Sequence, residues 1–153
     1  MNKRQEALFN QMDTYREELL DILSDVTSEE AEMIPEEFNN NIRWNLGHLY
    51  LDQYMWIKVL TKDDLYSDQL TGWFGFGTTP ADFDQDTPSF DELKERLKDQ
   101  PRRIKEHYGD RLEEEFPPTE MGMFTIEQVL IRTIFHEGLH TQAINDLKKC
   151  IRK

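Results

Sequence analysis

The sequence has little of what marks secreted and membrane proteins. Its one cysteine, Cys150, excludes a disulfide within the chain. No run of about 18 apolar residues is present, so no segment is expected to span a membrane. The N-terminus, MNKRQEALFNQMD, has neither the apolar core nor the small-residue cleavage site of a signal peptide. These absences predict a cytoplasmic protein.

Basic residues are also scarce. The chain has 18 Lys and Arg against 31 Asp and Glu, which gives a formal net charge of −13. A short basic cluster contains Arg102, Arg103 and Lys105, and no long basic stripe is present. A surface of this charge repels a phosphate backbone and an anionic bilayer. We therefore expect neither a nucleic acid nor a membrane among the partners of this protein.

Glycine and proline are few, and long amphipathic segments dominate the chain. Apolar residues recur at helical spacing in four segments: residues 3–24, 42–60, 89–108 and 125–149. No segment shows the alternation of a half-buried strand. The sequence therefore predicts an all-α protein, with a four-helix bundle in one domain over residues 1–153.

Local patterns mark the helix ends. Ser89 with Glu92, and Thr125 with Gln128, have the spacing of capping boxes at the start of the third and fourth predicted helices. Pro101 predicts a kink or a break in the third helix.

The link at residues 61–87 is much longer than the usual 2 to 8 residues between packed helices, so it can cross the bundle. Within it, LTGWFGFGTTPADF is rich in aromatics and glycine. This composition suits either a lid over a substrate or a structural cover on the core.

The fourth predicted helix contains HEGLH, with His136 and His140 four residues apart. Side chains at this spacing are neighbours on one helix face, with Cβ atoms roughly 6 Å apart. The same stripe holds Val129, Thr133 and Ala143, so both imidazoles are expected to point inward. Burying two imidazoles without partners costs free energy, and one bound metal would satisfy both. The alternative is a pair of core histidines that form hydrogen bonds within the protein.

A metal site with an open position takes three protein ligands, and two other histidines are available. His48 lies in the second predicted helix, which is apolar nearly all round, with Trp44, Leu51 and Met55 on its face. His107 lies in the polar run RRIKEHYGD and is expected at the surface. His48 is therefore the better candidate for the third ligand.

HEGLH also matches the H-E-x-x-H pattern of zinc proteases, but the third ligand of such a protease is missing. Only residues 141–153 follow His140. Asp146 lies six residues on, but Ala143 replaces the glycine that would end the helix. On a continuous helix six residues rotate a side chain by about 600°, away from the face of His140. We therefore do not expect an H-E-x-x-H protease.

Three segments resemble the DinB/YfiT-like superfamily of bacterial metal-binding proteins, and its Bacillus-type branch in particular. They are FNNNIRWNLGHLY, HEGLHTQAI, and FGFGTTPADF with the later LKDQPRRIKE. The resemblance implies an up-down-down-up bundle with one divalent metal, nickel or zinc, bound by His48, His136 and His140. One departure is that Gln142 and Ala143 replace a Gly-Gln pair that is frequent in the family.

The resemblance also implies the chemistry. It suggests a metal-dependent transferase similar to bacillithiol S-transferases, in which a metal-bound thiolate attacks an electrophile. The alternatives are a metal-dependent hydrolase and a non-catalytic bundle that holds a metal or a small molecule. The expected partners are a small-molecule substrate, such as a low-molecular-weight thiol, and a second copy of the chain in a homodimer.

Three polar residues flank the predicted ligands. Asn45 and Asp52 lie one turn on either side of His48 and are candidates for hydrogen bonds that orient the site. The alternative for both is the ordinary polarity of a helix. Glu137 lies about 100° round the helix from His136 and is the candidate catalytic base, unless it faces a neighbouring helix.

Overall fold

A computed structural model describes all 153 residues, and its regular structure is entirely helical. The six α-helices are α1 Lys3–Leu23, α2 Ser28–Glu32, α3 Ile42–Thr61, α4 Gln69–Phe74, α5 Phe90–Tyr108 and α6 Ile126–Ile151. A short 3-10 helix covers Pro80–Asp82. The all-α prediction is confirmed. None of the helices is both long enough and apolar enough to cross a membrane.

The four long helices, α1, α3, α5 and α6, coincide with the four predicted segments to within two residues at each end. Both predicted capping boxes are present, because Ser89 caps α5 and Thr125 caps α6. The side chain of Asn41 caps α3 by accepting from the backbone N–H of Trp44. The two short helices α2 and α4 were not predicted.

The long helices pack around two clusters of buried apolar side chains. α3 packs against α5 and α6, and α1 packs against the same two helices. One cluster contains Leu46, Leu93 and Ile144, and the other contains Phe9 and Ile57. Removal of these side chains from water is the main driving force for folding.

Contacts between α1 and α6 join the matching ends of the two helices. Arg4, near the start of α1, pairs with Glu127, near the start of α6, at 2.8 Å. Lys148, near the end of α6, donates to the carbonyl oxygen of Ile22, near the end of α1, at 2.7 Å. These two helices therefore run in the same direction.

A kink or a break was predicted at Pro101, and α5 continues through this residue, so there is no break. Proline has no backbone N–H, and the carbonyl of Leu97 one turn earlier therefore loses its helical partner. The guanidinium of Arg16, on α1, donates to this carbonyl with an Nη1–O distance of 2.6 Å. A contact between helices thus replaces the missing hydrogen bond within α5.

The link between α3 and α5 folds onto the core through α4. Trp73 and Phe74 are buried, and Phe74 lies against Gly47 on α3. A Cβ atom at position 47 would stand 2.2 Å from the Phe74 ring, so only glycine permits this approach. Two residues after Phe74, the side chain of Phe76 is fully exposed. The link is therefore a structural cover at α4 and presents an aromatic side chain to solvent directly after it.

Candidate metal centre

α3 and α6 bring three histidines together. His48 comes from α3, and His136 and His140 lie one turn apart on α6. One ring nitrogen from each lies within 4.8 Å of the other two, and the Nε2 atoms of His48 and His136 are 3.3 Å apart. Two nitrogens bound to one tetrahedral zinc ion are about 3.4 Å apart, given Zn–N bonds of about 2.0–2.1 Å. The three rings can therefore hold one metal ion. His107 is exposed and lies outside this cluster.

Two of the histidines have their second ring nitrogen fixed by an oxygen. Nδ1 of His48 is 2.8 Å from the carbonyl oxygen of Phe74. Nδ1 of His140 is 2.8 Å from Oδ1 of Asn45. Neither oxygen has a proton to donate, so both favour the tautomer with its proton on Nδ1. The lone pair of Nε2 then faces the other histidines and is free to bind a metal.

The third histidine lies against a carboxylate. Nδ1 of His136 is 2.9 Å from Oδ2 of Asp52, while Oδ1 of Asp52 accepts from Nε1 of Trp56 at 3.2 Å. Oδ2 nevertheless has no hydrogen bond of good geometry, so we treat its effect on His136 as chiefly electrostatic. Asn45 and Asp52 thus contact the two histidines of α6 rather than His48, their neighbour on α3.

Burial favours the neutral form of His140 and His48. Removal from water lowers the pKa of His140 to about 4, and the neighbouring His136 and His48 lower it further in the same direction. Removal from water also lowers the pKa of His48, against the opposing effect of its bond to the Phe74 carbonyl. Neutral imidazole is the form that binds a metal, so these two rings are ready for binding near neutral pH.

An aromatic ring holds His48 in place. The ring of Trp44 stacks on that of His48, with centroids 4.7 Å apart and an angle of 10° between the planes. Nε1 of Trp44 donates to Oγ1 of Thr78 at 2.9 Å, and Thr78 in turn donates to the carbonyl of Gly75 at 2.7 Å. The link between α3 and α5 therefore fixes both the position and the plane of the His48 ring.

A cleft of about 340 Å³ opens beside the histidines. Its lining consists of His48, Leu51, Asp52, Met55, Trp56, Gly75, Phe76, Arg132 and His136. The volume falls within the range of about 300–1,000 Å³ that is typical of small-molecule sites. The lining thus combines two of the clustered histidines and two charged side chains with apolar ones.

Glu137 lies outside the cleft. It is buried and forms an ion pair with the buried guanidinium of Arg16, and it is not part of the lining of the cleft. The same guanidinium donates to the side chains of Gln53 and Gln100. Glu137 therefore belongs to a buried polar network between α1, α3, α5 and α6.

Two arginines were not predicted from the sequence, although the helical spacing of each could have indicated its place. Arg132 lines the cleft one turn before His136, and its i, i+4 spacing from that ligand placed it on the same face of α6. Arg16 lies at helical spacing between Met12 and Leu19, so it is a charge within the buried stripe of α1.

The family comparison agrees with this geometry. The model of the DinB superfamily matches residues 11–144, a range that contains all three histidines of the cluster. No curated protein matches the chain. The Bacillus-type branch stays a prediction. Because the match covers most of the sequence, this protein belongs to the DinB superfamily.

Proposed function

We propose that this protein is a metal-dependent enzyme in which His48, His136 and His140 hold one divalent ion, zinc or nickel. The support is the donor set: three imidazoles whose ring nitrogens approach one another, each with its Nδ1 beside an oxygen. Imidazole nitrogen suits both metals. When bound, such an ion lowers the pKa of a coordinated thiol and supplies a nucleophilic sulfur near neutral pH.

The proposed reaction is transfer of a low-molecular-weight thiol, of the bacillithiol kind, to an electrophile. The observation that favours transfer over hydrolysis is that both carboxylates near the three histidines lie against other side chains of the protein. Oδ1 of Asp52 accepts from Trp56 and its Oδ2 lies 2.9 Å from Nδ1 of His136, while Glu137 is paired with Arg16. Water activation commonly relies on such a base. A thiol depends less on one, because its ordinary pKa of about 8.5 is already near neutrality.

The residues of the cleft have distinct roles in this proposal. His48 and His136 line it, so reactants in the cleft would lie next to two of the ligands. Met55 and Phe76 would cover the bound reactants and exclude water from them. Asp52 would orient His136 and make its imidazole a stronger electron-pair donor to the metal.

We also propose the up-down-down-up bundle, with residues 61–87 as its crossover. The parallel contacts between α1 and α6 support it. Near the starts of α3 and α5, Arg43 donates to the carbonyl of Pro88 at 2.9 Å. Near their ends, the hydroxyl of Tyr108 donates to Asp63 at 3.3 Å. The cytoplasmic location, the single domain, the homodimer and the absence of nucleic-acid and membrane partners stay predictions.

Metal analysis of single alanine variants tests the site. We expect about one equivalent of zinc or nickel in the wild type and almost none in His48→Ala, His136→Ala or His140→Ala. His107→Ala removes an exposed histidine and is the matched control, with full metal content expected. Full metal in His48→Ala together with loss in His107→Ala would show that the ligand assignment is wrong.

The reaction is tested separately with the metal-loaded protein, bacillithiol or a related thiol, and an electrophile such as chlorodinitrobenzene. The expected result is a conjugation rate clearly above that of the metal-free protein and of His140→Ala. Equal rates across several thiols and electrophiles would reject the transferase and leave the hydrolase or a non-catalytic metal-holding protein.

A further inference from the structure

Arg132 is the one cationic side chain in the lining of the cleft. Its Nε and Nη1 atoms are buried and have no hydrogen-bond partner. A buried donor without a partner destabilises the folded state, and proteins rarely leave one in this state. Arg132 nevertheless lines the cleft with 25% of its side chain exposed, so a ligand beside the candidate metal centre can reach the guanidinium.

Two contacts hold the guanidinium without satisfying its donors. It lies over the ring of Trp56, 4.5 Å from the centroid. Its Nη1 atom is 3.8 Å from Oδ2 of Asp52, a separation too long for a hydrogen bond. Asp52 is nearer to His136, at 2.9 Å. The arginine is therefore kept in place by stacking and by a nearby charge, while its hydrogen-bonding capacity stays unused.

We propose that Arg132 binds an anionic group of the substrate, such as a carboxylate, and so sets the substrate specificity of this site. The fork of N–H donors on a guanidinium matches the two oxygens of a carboxylate. In a chain with a net charge of −13, a local cation is needed to attract an anionic substrate. This inference rests on the proposed function in taking the cleft as the substrate site.

The rest of the lining defines the body of the substrate. Leu51, Met55 and Phe76 give the cleft an apolar side, which would receive a hydrocarbon or aromatic portion. Arg132 and His136 are one turn apart on α6, with Cβ atoms roughly 6 Å apart. A substrate anchored at Arg132 would therefore place the carbon atoms next to its anionic group beside the histidines. The expected substrate is a small apolar molecule with an acid group close to its reacting carbon.

Phenylacetate and its neutral analogue phenylacetamide test this proposal by titration calorimetry. We expect the wild-type protein to bind phenylacetate about ten- to a hundredfold more tightly, the value of a charge-assisted hydrogen bond. The titration is done first with metal-free protein, where no metal can attract the carboxylate. Arg132→Gln should remove the preference for the anion, and Arg132→Lys should keep part of it.

Arg103→Gln is the control, because it removes the same charge from an exposed position outside the cleft and should keep the preference. Equal binding of the two probes to the wild type, or no binding at millimolar concentration, would overturn the proposal without any variant. A preference that appears only with metal and survives in Arg132→Gln would also overturn it, because the metal would then be the anion site. Anion binding without thiol transfer would leave this proposal standing and reject only the transferase.

Discussion

The carboxylate of Glu137 is bound by the guanidinium of Arg16 in the interior of the protein. Glu137 has the sequence position of a protease base, yet it stabilises the packing of α6 against α1. The arrangement depends on Pro101, which frees the carbonyl of Leu97 to accept from the same guanidinium. The packing between helices thus explains why a glutamate that resembles a catalytic residue in the sequence lies in a buried ion pair.

Removal of Glu137 should therefore reduce stability rather than metal binding. Glu137→Ala leaves the Arg16 charge buried and unpaired, which costs about 3–5 kcal/mol. Urea unfolding of the metal-free protein measures this loss. Glu106→Ala is the control, because its partner Arg102 is exposed and such pairs contribute about 0–1 kcal/mol. Equal losses in the two variants would contradict the structural role.

The same residue gives a kinetic expectation. Glu137→Gln should retain its metal and lower any thiol-transfer rate by less than tenfold, below the ~10²–10⁴ of a general base. A thousandfold loss with the metal retained would instead identify Glu137 as the base and favour hydrolysis.

Asn45 should control metal affinity through His140. Asn45→Leu keeps the number and branching of the side-chain heavy atoms but removes the oxygen that accepts from Nδ1 of His140. Loss of such an orienting group typically lowers metal affinity by about 10–100-fold. Competition titration with a chelating dye measures the affinity, and Asn39→Leu at an exposed position is the control. An affinity for Asn45→Leu equal to that of the control would show that His140 needs no such support.

Gly47 should matter to the metal site although it binds nothing. Gly47→Ala would force the ring of Phe74 away, and the carbonyl of Phe74 holds Nδ1 of His48. We expect a lower melting temperature and weaker metal binding. Gly138→Ala is the matched control, because its Cβ would meet no atom within 4 Å and alanine favours the helix by up to about 1 kcal/mol. Unchanged metal affinity in Gly47→Ala would show that the contact between Gly47 and α4 does not support the metal site.

The metal-free protein should lose stability as the pH falls from about 6.5 to about 4. In the folded state the pKa of His140 is lowered from its ordinary 6.5 to about 4, and that of His48 is lowered too. Between these values the unfolded chain binds more protons, so acid favours unfolding; the contribution is complete above the unfolded pKa. Melting temperatures across this range measure the slope. The slope of melting temperature against pH should decrease in His140→Gln and stay unchanged in His107→Gln. Equal slopes in the two variants would contradict the role of His140 in this pH dependence.

The sequence by itself predicted the four long helices and the three histidines that the structure brings together. The periodicity of residues 3–24, 42–60, 89–108 and 125–149 predicted the four long helices, because one face of each must be buried. The spacing of His136 and His140 put both rings on one face of α6, since 3.6 residues per turn makes neighbours of residues four apart. The apolar surroundings of His48 distinguished it from His107. These are local properties, which a chain carries along its length.

Only the tertiary structure decided what each of these side chains contacts. Asn45 and Asp52 were predicted to orient the site from their spacing around His48, but packing decided that they contact His140 and His136, and that the carbonyl of Phe74 contacts His48. Of the kink or break predicted at Pro101, the break does not occur, and Arg16 from α1 compensates for the missing hydrogen bond. Local spacing likewise leaves open which helix faces Glu137 and which side chains surround Arg132. Those outcomes depend on how separate helices pack, and contacts between residues far apart in the chain determine them.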